Sequence, residues 1–299
     1  VAIGALEEGY VQVQSQYTRN TNLADHFISE AVVKFKADYV RAREAPAFLS
    51  ECVPCLSSSQ LPVESEILDS LHGFASANPM YVRSYRQEIS GIHSIVYESD
   101  INAFWLSSKK HDASYQPFYP TWLLSAYALA HAARLLGFTE LVDIGSGDGR
   151  IAYCASLLGM KSYGIEIDSD LIRVQNKIKS TTAIDFTAIE SDATKYDYAQ
   201  LALTRPIFFI SGLPEVGEML AYGVIERILS DPTLRNNSGF NFMGSHKMKR
   251  LSRDHTAWGW GKIISRYGLV LKGAMTLPTY WTTEEPVDTP YVYAVCGTA

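Results

Sequence analysis

The stretch from Glu140 to Tyr153, ELVDIGSGDGRIAY, decides the fold. An apolar, strand-like run, Leu141–Ile144, leads into three glycines on alternate positions, Gly145, Gly147 and Gly149, and a helical run begins at Arg150. In an open parallel sheet, ligands bind where such a turn leaves the carboxyl end of a strand. Glycines there let bare backbone approach the ligand. The dinucleotide pattern G-x-G-x-x-G needs its third glycine at position 150, but Arg150 stands there and the glycine falls at 149. No G-K-[ST] follows, which excludes a P-loop. Asp143 lies two residues before the first glycine and Asp148 lies inside the turn. Carboxylates repel a pyrophosphate and attract an ammonium or sulfonium group.

Outward from the turn, strands and helices alternate. Strands are expected at Ser162–Ile167, Phe186–Glu190, Ile207–Ser211 and Phe240–Gly244, with helices at Arg150–Leu158, Leu171–Lys179 and Glu215–Leu229. Upstream, Thr121 is placed to cap a helix that Gly137 ends. Leu269–Leu277 and Tyr291–Cys296 have no helix between them, so they pair antiparallel at one edge. The fold class is therefore α/β: a Rossmann-like, seven-stranded, mostly parallel sheet with an antiparallel carboxyl-terminal hairpin and a helical amino-terminal region. On that sheet Glu166 ends the second strand, where a carboxylate accepts from ribose hydroxyls. Asp192, in IESDAT, follows the third strand and is placed to accept from an adenine amino group. Each acid alone reads as a turn residue or cap. Asp143, Asp148, Glu166 and Asp192 on one rim point to S-adenosylmethionine, which carries an ammonium, a sulfonium and no phosphate.

The segments Asp143–Arg150 (DIGSGDGR), Gly164–Asp168 (GIEID) and Ser191–Ala193 (SDA) resemble those of the class I, seven-strand S-adenosylmethionine-dependent methyltransferases, over residues 115 to 299. QPFYPTW, ahead of the turn, also resembles a segment of the archaeal and mitochondrial protein-lysine methyltransferases that lies over the cofactor, with Trp122 in place of its last proline. The resemblance implies that Asp143, Ile144, Gly145, Ser146, Gly147, Asp148 and Gly149 hold the methionine part. It implies that Glu166 and Ile167 take ribose and adenine, and that Asp192 and Ala193 take the adenine edge. Ser211 and Gly212 would face the methyl group, and Tyr115, Phe118 and Tyr119 would cover the cofactor.

Residues 1–114 are expected to form a mainly helical substrate or cap region, and 115–299 the methyltransferase domain. The helical patterns are Leu23–Arg43 and Val63–Ala75; APAFLSECVPCLSSSQLP reads as loop, and SIVYESDINAFWL as a strand with a turn. Cys52 and Cys55 read as loop cysteines; with only four cysteines, a reducing, cytoplasmic setting is expected. VAIGALEEGY has no signal-peptide pattern, and the longest apolar stretch, Trp122–Phe138, carries His131 and Arg134, as a packed helix does rather than a membrane span. Histidine spacing suggests no metal site.

The acceptor is less legible. After the fourth strand the chain reads Ser211-Gly-Leu-Pro214, not [DN]-P-P-[YF], and no Pro-Cys nucleophile is present. Glu215 and Tyr119 are weak catalytic candidates; Glu215 reads equally well as an acid at a helix start behind Pro214. His111 and His246 are weaker still. Aromatic residues Tyr115, Phe118, Tyr119 and Trp122 suggest a pocket wall, with Trp258, Trp260, Tyr280 and Trp281 as core by default. The only dense basic run, SHKMKRLSR at Ser245–Arg253, reads as a solvated helix face. A formal charge of −6 disfavours nucleic acid and suits a basic protein partner. A protein side-chain nitrogen, lysine in particular, is the leading acceptor. A small-molecule acceptor, RNA, or a non-catalytic cofactor-binding module stay open.

Overall fold

The structure, a computed structural model, describes residues 23–42, 49–99, 118, 120–210, 214–243, 259–278 and 288–297. The strands of the main sheet are β4 (Glu140–Ile144), β5 (Lys161–Glu166), β6 (Thr187–Glu190), β7 (Pro206–Ile210), β8 (Gly239–Met243), β9 (Leu269–Pro278) and β10 (Asp288–Cys296). Their spatial order is β6-β5-β4-β7-β8-β10-β9. Pairs among β6, β5, β4, β7 and β8 are parallel, whereas β10 runs antiparallel to both β8 and β9. The order reverses at β4, so its carboxyl end is the switch point where ligands bind. This is the expected fold of the class I methyltransferases, terminal hairpin included.

The five residues of β4, like those of β7 and β8, are all buried, as in strands covered on both faces. Alternation divides the two cores. Val142, Ile144, Phe208 and Ile210 face one, built with α6 (Pro214–Ser230) and α8 (Gly259–Arg266). Leu141, Ile207 and Phe209 face the other. That second core continues into α3 (Leu123–Leu135), α4 (Arg150–Leu157) and α5 (Ser169–Thr182), and then into the amino-terminal segment. Asp143, two residues from Leu141, is on this second face.

The amino-terminal segment departs from the expected picture. The two helical patterns are α1 (Leu23–Ala42) and α2 (Ser65–Ala77). Between and after them lies a three-stranded antiparallel sheet in the order β1-β3-β2, of β1 (Leu49–Pro54), β2 (Tyr81–Ile89) and β3 (Ile92–Ser99). β1 runs through the stretch expected to be loop. Cys52 is consequently a buried strand residue, its thiol pushed up to about 12 by burial. β2 shows weak alternation because most of it is exposed; the two-residue turn Ser90-Gly91, both at positive φ (47° and 83°), closes its hairpin with β3. Val32 and Phe35 of α1, Leu68 and Phe74 of α2, and Val53 of β1 share one continuous core with Trp122, Tyr153 and Phe209. The small sheet thus packs into the methyltransferase fold. Among the described residues no helix is long and apolar enough to cross a membrane. Pro232–Asn237 forms a short helix, α7, between α6 and β8.

Candidate functional site

The glycine turn leaves β4 at Ile144 and enters α4 at Arg150. Gly145, Gly147 and Gly149 all sit at positive φ (69°, 57° and 81°), a region that costs any residue with a Cβ. Their surroundings differ. A Cβ on Gly147 would stand 2.4 Å from Cε2 of Phe118, and one on Gly149 would stand 2.9 Å from Cγ of Gln175. A Cβ on Gly145 would meet nothing within 4 Å. The turn is therefore covered at its second and third glycines and open at its first.

The backbone donors of the turn point inward. Gly145 N and Ser146 N both donate to Ile165 O, at 2.9 and 3.1 Å. Gly147 N donates to Oε2 of Glu166 at 2.8 Å, and Gly149 N to Ser146 O at 2.8 Å. Arg150 N reaches Oδ1 of Asp148 at 3.3 Å. A phosphate cradle requires such N–H groups to face the ligand. Here a carboxylate takes the hydrogen bond that a phosphate would receive. Gln175, from α5, fixes the underside: its Nε2 donates to Gly147 O and to Oγ of Ser146, each at 2.8 Å. Nothing in the local pattern around Gln175 signals that role; only its position on the buried face of α5 could have.

The four rim acids fall into two kinds. Asp148 is buried and engaged by the protein. Nε and Nη2 of Arg150 grip its carboxylate, at 2.9 Å to Oδ1 and 2.5 Å to Oδ2, and Nδ2 of Asn78 donates to Oδ2 at 2.8 Å. The oppositely charged guanidinium satisfies its carboxylate inside the fold. Asp192 likewise folds onto its own loop, accepting from Thr194 N, Oγ1 of Thr194 and Nζ of Lys195. Lys195 and Thr194 hold its carboxyl below the usual range. Ala193 beside it is buried against the core that contains Val142.

Asp143 and Glu166 are the other kind. Asp143 is 2% exposed, and no described residue donates to it. Burial first, and then the like charges of Glu166 and Asp148, push its carboxyl well above the usual range. Glu166 accepts from Gly147 N, and from Ile167 N and Asp168 N at 2.8 and 3.0 Å. Burial raises its carboxyl despite those bonds. With three acceptor positions of about four occupied, it has room for about one further donor. Ile167 is 44% exposed, an unusual state for a large apolar residue at a strand end. Asp168 caps α5 through Asp170 N.

Phe118 is buried with its ring on Gly147. Trp122, expected on a pocket wall, is instead fully buried, 6.1 Å from the ring of Phe35 and under Nζ of Lys36 at 4.6 Å. Its neighbours are cap residues, and they draw it into the core. Trp260 stacks on Phe242 and is core. Thr121 does not cap α3; Leu123 N donates to Oε2 of Glu51, from β1, at 2.8 Å. Pro214 is the first residue of α6 and Glu215 its second. Tyr115, Tyr119, Ser211, Gly212, His111, His246, Trp258, Tyr280, Trp281, the side chain of Glu215 and the basic run 245–253 lie outside the described residues. No group of metal-ligating side chains occurs among the described residues.

No protein-family model matches the chain, and no curated protein matches it. Solved structures do resemble it. The Pyrococcus abyssi tRNA (uracil-54, C5)-methyltransferase in complex with S-adenosyl-L-homocysteine is similar at 11% identity and a TM-score of 0.44, over 59% of this chain and 39% of that one. The ribosomal protein L11 methylase of Lactobacillus delbrueckii subsp. bulgaricus is similar at 11% identity and a TM-score of 0.40, over 58% and 77%. The magnesium protoporphyrin IX methyltransferase of Synechocystis PCC 6803 with bound SAM is similar at 14% identity and a TM-score of 0.40, over 58% and 78%. Likeness at this level concerns the layout of the sheet; the chemistry must come from the residues of this chain.

Proposed function

We propose that the chain binds S-adenosylmethionine at the open end of the glycine turn and transfers its methyl group to an acceptor nucleophile. One observation carries this reading. The N–H groups of the turn at 145, 146, 147, 149 and 150 donate inward, and the buried Asp143 carboxyl beside them has no donor among the described residues. Such a site repels a phosphate and is completed by a cation. S-adenosylmethionine supplies two cations when bound, one of them the sulfonium that carries the transferable methyl. Asp143 with the Gly145 backbone would hold the ammonium end, Glu166 one ribose hydroxyl, and the exposed face of Ile167 the adenine. Asp192 and Ala193 would border the adenine through their loop. Phe118, with Tyr115 and Tyr119 of the same segment, would exclude water from above. Ser211 and Gly212, which follow β7, would face the methyl.

The acceptor we propose is a protein side-chain nitrogen, lysine in particular, presented by a basic partner to this net-acidic chain. A lysine must lose its proton first. From a reference pKa of ~10.4, that costs about 4.6 kcal/mol at pH 7, which a poorly hydrated aromatic pocket lowers. Glu215 and Tyr119 are the side chains to examine there, and a cytoplasmic setting fits the sparse cysteines. Cell extract incubated with methyl-labelled donor tests the whole reading. Label in protein, recovered as N-methylated lysine after acid hydrolysis, supports it. Label in RNA or in small molecules replaces the acceptor, and donor binding without any transfer leaves a cofactor-binding module.

A further inference from the structure

The glycine turn is joined to the amino-terminal segment by a chain of buried charges. Glu51 of β1 is fully buried. Its Oε1 accepts from Nη1 of Arg150 at 2.7 Å, and its Oε2 accepts from Leu123 N at the start of α3. Arg150 is 2% exposed, and the same Nη1 also reaches Thr121 O at 2.5 Å, while Nη2 lies 3.4 Å from the Tyr81 hydroxyl of β2. Its Nε and Nη2 hold Asp148 inside the turn, and Asn78, just past α2, holds the same carboxylate. One guanidinium therefore reaches β1, β2, the entry to α3 and the turn. A fork with five fixed donors can do this; an ammonium cannot.

We infer that Glu51 is a positioning residue for the cofactor turn: through Arg150 and Asp148, it makes docking of the amino-terminal sheet and the shape of the turn a single event. The inference rests on the proposed cofactor site and adds a residue 99 positions upstream of Arg150 to it. Asp148 lies inside the turn and Arg150 begins α4 directly after it, so any shift of Arg150 toward solvent moves the backbone at Gly147 and Gly149. Among the described residues no hydrogen bond joins Glu51 to the open end at Gly145; it acts through this relay. Coupling of this kind is reciprocal. A ligand that fixes the turn must also tighten the small sheet, and loss of the relay must weaken the ligand.

The test uses the full chain, with S-adenosylhomocysteine as probe, well below the unfolding temperature. In the unaltered protein, the probe slows amide exchange at Leu123 and along Glu51–Val53. In Glu51→Gln, which keeps shape and removes charge, the probe binds about tenfold more weakly and no longer protects those amides. A role in stability alone lowers the melting temperature without erasing that ligand-dependent protection. Equal affinity in Glu51→Gln, or no protection of β1 in the unaltered protein, overturns the inference. If Glu51→Gln does not fold, the exchange result on the unaltered protein decides by itself. Failure of the probe to bind the unaltered protein overturns the proposed site instead, and is seen before any variant is made.

Discussion

The two sides of the glycine turn differ in how their charges are satisfied. On the side toward the amino-terminal segment, Asp148 and Glu51 are matched by Arg150 and Asn78, and Phe118 closes over Gly147. On the side toward β5, Asp143 is buried with no cation paired to it among the described residues, Glu166 is raised by burial, and Gly145 faces open space. Equally acidic residues thus do different work. A buried acid with its cation inside the fold is scaffold, because the pair offsets its own desolvation. A buried acid without one is costly until a ligand brings the charge. The first kind holds the turn; in the function proposed above, the second selects what binds there.

The sharpest way to break this comparison is to remove one acid of each kind. Asp148→Ala removes one of the two carboxylates that hold the buried Arg150 guanidinium and leaves Glu51 alone to match it, so it should destabilise the fold by about 3–5 kcal/mol, read by chemical denaturation. Asp143→Asn should leave the ligand-free protein at least as stable, and weaken S-adenosylmethionine binding on the order of 10²-fold, read by calorimetry. Equal effects of the two on stability would erase the distinction. The glycines repeat the contrast on a smaller scale. Gly147→Ala meets both positive φ and the Phe118 ring, and should cost about 3 kcal/mol. Gly145→Ala meets only positive φ, at about 1 kcal/mol, and its larger effect should be on the ligand.

Proton linkage gives a finer test. Burial, with Glu166 and Asp148, raises the Asp143 carboxyl in the folded chain. A group raised in this way adds stability below its unfolded value, and that contribution disappears as pH rises through the folded value. A cation binds the ionised form. The melting-temperature shift given by saturating S-adenosylhomocysteine should therefore grow as pH rises through the raised value, and Asp143→Asn should flatten that dependence. Smallest of all, Asp192→Asn removes a partly exposed pair with Lys195 and should change stability by less than about 1 kcal/mol, with only a few-fold change in affinity.

Much of the β4–β6 half was legible because its code is local. Strand, glycine turn and helix follow one another within 14 residues, and Glu166 is fixed by the next strand end. Asp143, Glu166 and Ile167 could be named from that pattern. Which acids face a ligand could not, since the inward turn of Asp148 depends on Arg150, and Arg150 is held by Glu51 from a distant strand. Arg150 was visible only as a missing glycine. The amino-terminal sheet was hidden for a related reason. β1 carries Glu51 and Pro54 on either side of its one cysteine, Cys52, and β2 is largely exposed, so neither shows clean alternation. Trp122 read as pocket from its proline-rich neighbourhood; its burial is set by Phe35 and Lys36, far away in sequence.

Competitive calorimetry on the unaltered chain tests the central claim most directly. S-adenosylmethionine and S-adenosylhomocysteine should bind at one site, and neither ATP nor NAD should bind there or compete. ATP or NAD binding at that site, with no response to the sulfonium nucleoside or its thioether product, would contradict the account.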